Sequence, residues 1–187
     1  GVAAAVFYAV FCWLANYNVN YLWAASFCLV LNWYGDSLDG TLARVRNTQR
    51  PKYGFFIDHS LDAITTCLFC VGIGLSPMMD MNIALFILAG YLVMSIYTYL
   101  STIVLDEFKL TYASLGPTEV RLILIAVYIL YIYNPWPDVS VNIFNQQWTV
   151  YDCIGAIVAF ILFSIYVCSL AVDLRKLAKQ DPPKKFQ

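Results

Sequence analysis

The sequence predicts an all-α polytopic membrane protein, six transmembrane helices enclosing a polar cavity that faces the cytoplasm. Three observations carry this. Hydrophobic residues make up 61% of the 187-residue chain and charged residues 12%, a balance that a solvated globule of this size cannot bury. Apolar runs of near-spanning length recur between short polar breaks. Once six spans are laid out, all eleven lysines and arginines fall on one side of the membrane.

Crossing about 30 Å of hydrocarbon takes roughly 20 apolar residues, and suitable runs lie near 21–35, 55–76, 83–105, 118–134 and 150–172. A sixth run, residues 1–15, is uncharged and helix-compatible but short, so a first helix cut short at its N-terminus is expected there. A signal peptide would need a basic leading region and a cleavage signal, which this run does not show. The breaks between runs are polar or turn-forming: residues 16–20, 44–52, Ser76-Pro77, 106–117 and 134–138. With the first segment starting in the cytoplasm, Arg44, Arg46, Arg50, Lys52, Lys109, Arg121, Arg175, Lys176, Lys179, Lys184 and Lys185 are all inside. Both termini, and the chemistry, are then cytoplasmic. A single domain is expected over 1–178, followed by a disordered basic tail over 179–187 beside anionic headgroups.

Several function classes drop out. A formal net charge of −1 offers no basic surface for nucleic acid. Six cysteines lie inside apolar runs, where they act as small hydrophobes and not as a disulfide framework. Cys67-x-x-Cys70 spells a redox motif but sits about two turns into an apolar helix without a polar neighbour.

The chemistry concentrates in one stretch. Asp36-x-x-Asp39 closes one helix and Asp58-x-x-x-Asp62 opens the next. Spacings of three and four place each pair on one helix face, and antiparallel neighbours joined by a short loop bring both pairs to one depth. An ionised side chain at the centre of a membrane helix costs roughly 2.5–3.5 kcal/mol, and clustered like charges cost more unless neutralised. A divalent cation does this, and all-oxygen ligation with room for a substrate phosphate suits two magnesium or manganese ions. The alternative is a set of interfacial acids paired with Arg44, Arg46 and Arg50. Gly40, Ala43 and Arg44 follow Asp39 on one face, so that face offers a carboxylate, two small positions and a guanidinium fork that fits a phosphate oxygen. Gly54, four residues before Asp58, clears the facing helix in the same way.

Asp36-x-x-Asp39-Gly40-x-x-Ala43-Arg44, followed by Gly54-x-x-x-Asp58-x-x-x-Asp62, resembles the signature of the CDP-alcohol phosphotransferases, six-helix membrane enzymes of phospholipid synthesis. All eight signature positions are filled. The loop between Arg44 and Gly54 is one residue longer than usual, and the usual amphipathic segment ahead of the first helix is absent. The resemblance implies a homodimer that transfers a phosphoalcohol, foremost a phosphatidyl group, from a CDP-linked lipid donor to an acceptor hydroxyl with release of CMP. It also implies Asp36, Asp39, Asp58 and Asp62 as ligands of two metal ions and Asp62 as the base. Gly40, Ala43, Arg44 and Gly54 would then accommodate the donor.

Weaker signals flank this motif. His59 beside Asp58 resembles the version found in choline and ethanolamine phosphotransferases, which would use CDP-choline or CDP-ethanolamine with diacylglycerol; it either assists the base or is a helix-boundary histidine bonded to the loop. Glu119 and Arg121, at the opening of the fifth helix, either line an acceptor pocket or, for Arg121, snorkel to headgroups. A sparse basic set near the site favours a neutral or zwitterionic acceptor. The rival class is a cation transporter or channel, but its polar residues should cross the whole membrane, and here they gather at one face.

Overall fold

The computed structural model describes residues 1–46, 50–105, 117–133, 141–143 and 146–181, with the side chains of 39, 40, 43, 44, 117, 141–143 and 146 outside the described set. These residues form α1 (Val2–Leu14), α2 (Tyr21–Val45), α3 (Pro51–Leu75), α4 (Met81–Leu105), α5 (Pro117–Tyr133), β1 (Val141–Ile143), β2 (Gln146–Trp148) and α6 (Val150–Gln180). All six expected helices are present. Of these, α3, α4 and α6 are long and apolar enough to cross a membrane, and α1 is a shorter apolar helix.

Helix ends differ from the apolar runs wherever helix-forming residues continue past them. The run that fades at residue 35 carries on as α2 to Val45, since Leu38, Leu42, Ala43 and Arg44 favour helix and Gly40 costs only about 1 kcal/mol. α3 starts at Pro51, where a missing backbone N–H costs nothing. α6 runs through Lys179 to Gln180, so the first two residues of the expected tail are helical; residues 182–187 lie outside the described set. The purely α expectation is corrected by the β1–β2 hairpin, antiparallel with Val141 opposite Trp148.

Packing follows the chain in part. α2 and α3 each pack on α1, α3 packs on α4, α4 on α6, and α2 on α5. α1 therefore bridges α2 and α3, which the sequence had suggested as direct neighbours. Its buried face presents Tyr8 and Cys12 to Leu22, Ala25, Cys28 and Leu29 of α2 and to Tyr128 of α5. The Tyr8 and Tyr128 hydroxyls bond each other, and Cys12 Sγ lies 3.4 Å from the Tyr128 oxygen, so neither tyrosine hydroxyl is buried unpaired. Close approach of α3 depends on Gly72, where a Cβ would fall 2.6 Å from Tyr8 Cε1. Gly72→Ala should therefore separate α1 from α3 and lower the thermal midpoint, whereas Gly54→Ala, with open space beside it, should not; equal midpoints for both variants would contradict this packing.

The end of the molecule remote from the acids is tied by polar contacts. Asn16 Nδ2 donates to the Leu75 carbonyl at 2.7 Å, joining the ends of α1 and α3. Thr149 and Asp152 form a capping box on α6, and Asp152 Oδ1 also accepts from the Asp80 N–H at 2.7 Å. One buried carboxylate thus fixes the starts of both α4 and α6.

Candidate active site

Asp36, in the second half of α2, lies within electrostatic reach of Asp62 of α3. Asp36 is held from a third element: Arg121 Nη2, one turn into α5, donates to Asp36 Oδ2 at 2.5 Å. Arg121 is only 8% exposed. A guanidinium so far out of water needs a charged partner, and this pairing places Arg121 inside the helix cluster and not out among headgroups. Glu119, one turn's edge earlier, is exposed.

Asp62 is half-buried on α3 and lies within electrostatic reach of Asp36, Arg121, His59 and Asp58. Asp58, one turn earlier, is exposed. The structure therefore gathers Asp36, Asp58, Asp62 and Arg121 in one region from three helices. His59 borders it with its ring engaged elsewhere: Nδ1 lies 2.8 Å from the Phe55 carbonyl oxygen, and the ring packs against Phe55 and edge-on against Tyr99 of α4. Beside Gly54 no described atom comes within 4 Å of where a Cβ would be, which leaves space along the first turn of α3. The backbone of Asp39, Gly40, Ala43 and Arg44 is in α2, and their side chains lie outside the described residues.

Three residues of this region escaped the sequence reading. Tyr91 of α4, whose carbonyl accepts from Ser95 Oγ at 3.0 Å, lies within electrostatic reach of Asp62 and Arg121; Tyr99 also reaches Asp62. Tyr91, Ser95 and Tyr99 recur every fourth residue in α4, a polar stripe that could have marked this face. The third is Asn32, one turn before Asp36. It is fully buried, and neither its amide nitrogen nor its oxygen has a hydrogen-bond partner among the described residues. A single Asn in an apolar run gave no local sign of this.

A family description for CDP-alcohol phosphatidyltransferases matches residues 2–161, which takes in α1 to α5 and the start of α6. The chain belongs to the CDP-alcohol phosphatidyltransferase family. No curated protein and no solved structure matches it significantly. Membership makes the chain a transferase acting on phosphate groups, with a CDP-alcohol donor and a hydroxyl acceptor, and assigns it to phospholipid biosynthesis.

The donor chemistry of the gathered acids suits a hard divalent cation, since every candidate ligand atom is a carboxylate oxygen. Among the described residues no three His, Cys, Asp or Glu side chains stand close enough to hold one. In this arrangement Arg121 supplies the positive charge at Asp36.

Proposed function

We propose that this phosphatidyltransferase is a six-span membrane enzyme that transfers the phosphatidyl group of CDP-diacylglycerol to an acceptor hydroxyl and releases CMP on the cytoplasmic side. The observation that carries the reading is the complete aspartate–glycine–arginine motif with its Asp36 and Asp62 elements brought together from α2 and α3, in a chain whose family match spans both helices. Asp62 takes the proton of the acceptor hydroxyl. The freed oxygen attacks the phosphorus bearing the diacylglycerol, and the bond from that phosphorus to the oxygen of CMP breaks. Arg44 binds a diphosphate oxygen, and Gly40, Ala43 and Gly54 leave room for the nucleotide. Asp36, Asp39, Asp58 and Asp62 would hold two magnesium or manganese ions, which when bound supply the charge that stabilises the diphosphate and the departing CMP.

Two acyl chains must stay in hydrocarbon while the diphosphate reaches the aspartates, so the site needs a lateral opening and a separate polar mouth. Arg121 marks the acceptor side. With Asp36 engaged as a ligand, the Arg121 guanidinium would be free to donate to a phosphate or carboxylate of the acceptor. Arg121→Ala is therefore expected to raise the acceptor's KM about tenfold, the scale of one charge-assisted hydrogen bond, with a much smaller change for the donor. An unchanged acceptor KM with a raised donor KM would make Arg121 a clamp on Asp36 alone.

The reading is tested by incubating the reconstituted protein with CDP-diacylglycerol and a panel of alcohols, then identifying the new lipid by mass. A phosphatidyl-alcohol is expected. Product formed only from CDP-choline or CDP-ethanolamine with diacylglycerol would reverse which substrate carries the acyl chains.

A further inference from the structure

The end of the molecule remote from the aspartates holds a groove of about 650 Å³ between the first turns of α4, the first turns of α6 and β2. Its shape follows from the sequence. Gly155 draws α6 onto the start of α4, where a Cβ would meet Met79 Cε at 2.7 Å and Ile83 Cγ2 at 2.8 Å. Next to that contact, Ala156 and Ala159 fall on one α6 face and are too small to fill the space, so they form the floor. Phe160 stands at the wall, 74% exposed, and Phe86 of α4 is 62% exposed. Phe86 and Phe163 close the deep end, their rings 6.0 Å apart. These residues belong to two helices apolar enough to span a membrane, so the groove opens toward acyl chains and not toward water.

The mouth is polar and carries negative charge only. Asp80, Asn82, Gln147 and Trp148 line it. Asp80 Oδ1 accepts the Asn82 N–H at 2.8 Å, while Oδ2 accepts no hydrogen bond from a described residue. The described connections at this end, residues 15–20, 76–80 and 147–149, with the first turn of α6, contain Asp80 and Asp152 and no lysine, arginine or histidine. An anionic headgroup would meet a carboxylate with no cation to offset it. An ammonium group would find Asp80 as partner and the Trp148 ring as a cation–π surface, and the neutral amides of Asn82 and Gln147 can donate to the adjoining phosphodiester.

We propose that this groove is a second lipid site, which holds one acyl chain of a zwitterionic, ammonium-headed phospholipid on the membrane face opposite the aspartates. It joins α4, α6 and the hairpin, and it stands apart from the phosphotransfer reading, since no residue of the acid cluster contributes to it.

The test uses the full chain in nanodiscs doped with phosphatidylethanolamine or phosphatidylglycerol, each carrying the same photoreactive acyl chain, with labelled residues mapped by mass spectrometry. Phosphatidylethanolamine is expected to label Phe86, Phe160 or Phe163 about tenfold more than phosphatidylglycerol does, on the scale of one charge-assisted hydrogen bond. Asp80→Asn, which retains an oxygen for the Asn82 N–H, should bring that ratio close to one, and Ala156→Phe should remove labelling by both lipids. If Ala156→Phe does not fold, the Asp80→Asn ratio alone decides. Equal labelling by the two lipids, or a ratio unmoved by Asp80→Asn, overturns the headgroup assignment. Labelling no stronger than at Val167 and Val172 on the exposed face of α6 would mean ordinary annular lipid, and protection of the groove in a particle of two copies would make it a subunit interface; either result overturns the site.

Discussion

Asp62→Asn is expected to lower turnover about 10²–10⁴-fold, the usual contribution of a positioned general base, while keeping donor binding closer to that of the unaltered protein than Asp36→Asn or Asp58→Asn does. Asp62 is the half-buried acid of the group and lies within electrostatic reach of Asp36, Asp58 and Arg121, so the carboxylates beside it favour its taking a proton and the guanidinium opposes it. A base serves the chemical step alone, whereas a ligand serves binding and chemistry together. Measuring kcat beside the equilibrium Kd for the CDP-linked donor separates the roles. Equal loss of donor affinity in all three variants would make Asp62 another ligand and leave the base unassigned.

Removal of divalent cations has the second large expected effect: activity falls to background in excess EDTA and returns with magnesium or manganese. In the proposed site four carboxylates would meet a diphosphate, and the ion pair of Arg121 with Asp36 would offset a single charge. The remaining repulsion needs cations before a donor can bind. A readout without turnover is available, because a cation that binds only the folded state at a hundred times its Kd adds about 2.7 kcal/mol of stability. Magnesium should raise the thermal midpoint of the unaltered protein and do so much less for Asp58→Asn. Full activity in EDTA would remove the cations from the mechanism.

Much of the fold was legible because hydropathy is a local property. Six apolar runs became six helices, although Pro51, which the sequence placed in the 44–52 break, opens α3. Helix ends were less legible, since hydropathy fades at Asp36 and Asp173 although the residues beyond still favour helix. The hairpin was hidden for a related reason: three residues per strand are too few for alternation to stand out from a loop. At the site, the aspartates announced themselves by spacing within 27 residues. Arg121 could be named as a candidate, but its partner lies 85 residues away, and only the packing of α5 on α2 brings them together. Asn32 and Tyr91 were missed because burial and hydrogen bonding depend on neighbouring helices, which no single segment encodes.

The most direct measurement of the phosphotransfer reading is CMP release from CDP-diacylglycerol by purified, reconstituted protein with magnesium, followed in parallel with the appearance of a new phospholipid. One CMP is expected per lipid formed, dependent on both donor and acceptor hydroxyl and absent in Asp62→Asn. Folded protein that releases no CMP with any CDP-alcohol and acceptor pair, yet conducts divalent cations across the vesicle membrane, would contradict it.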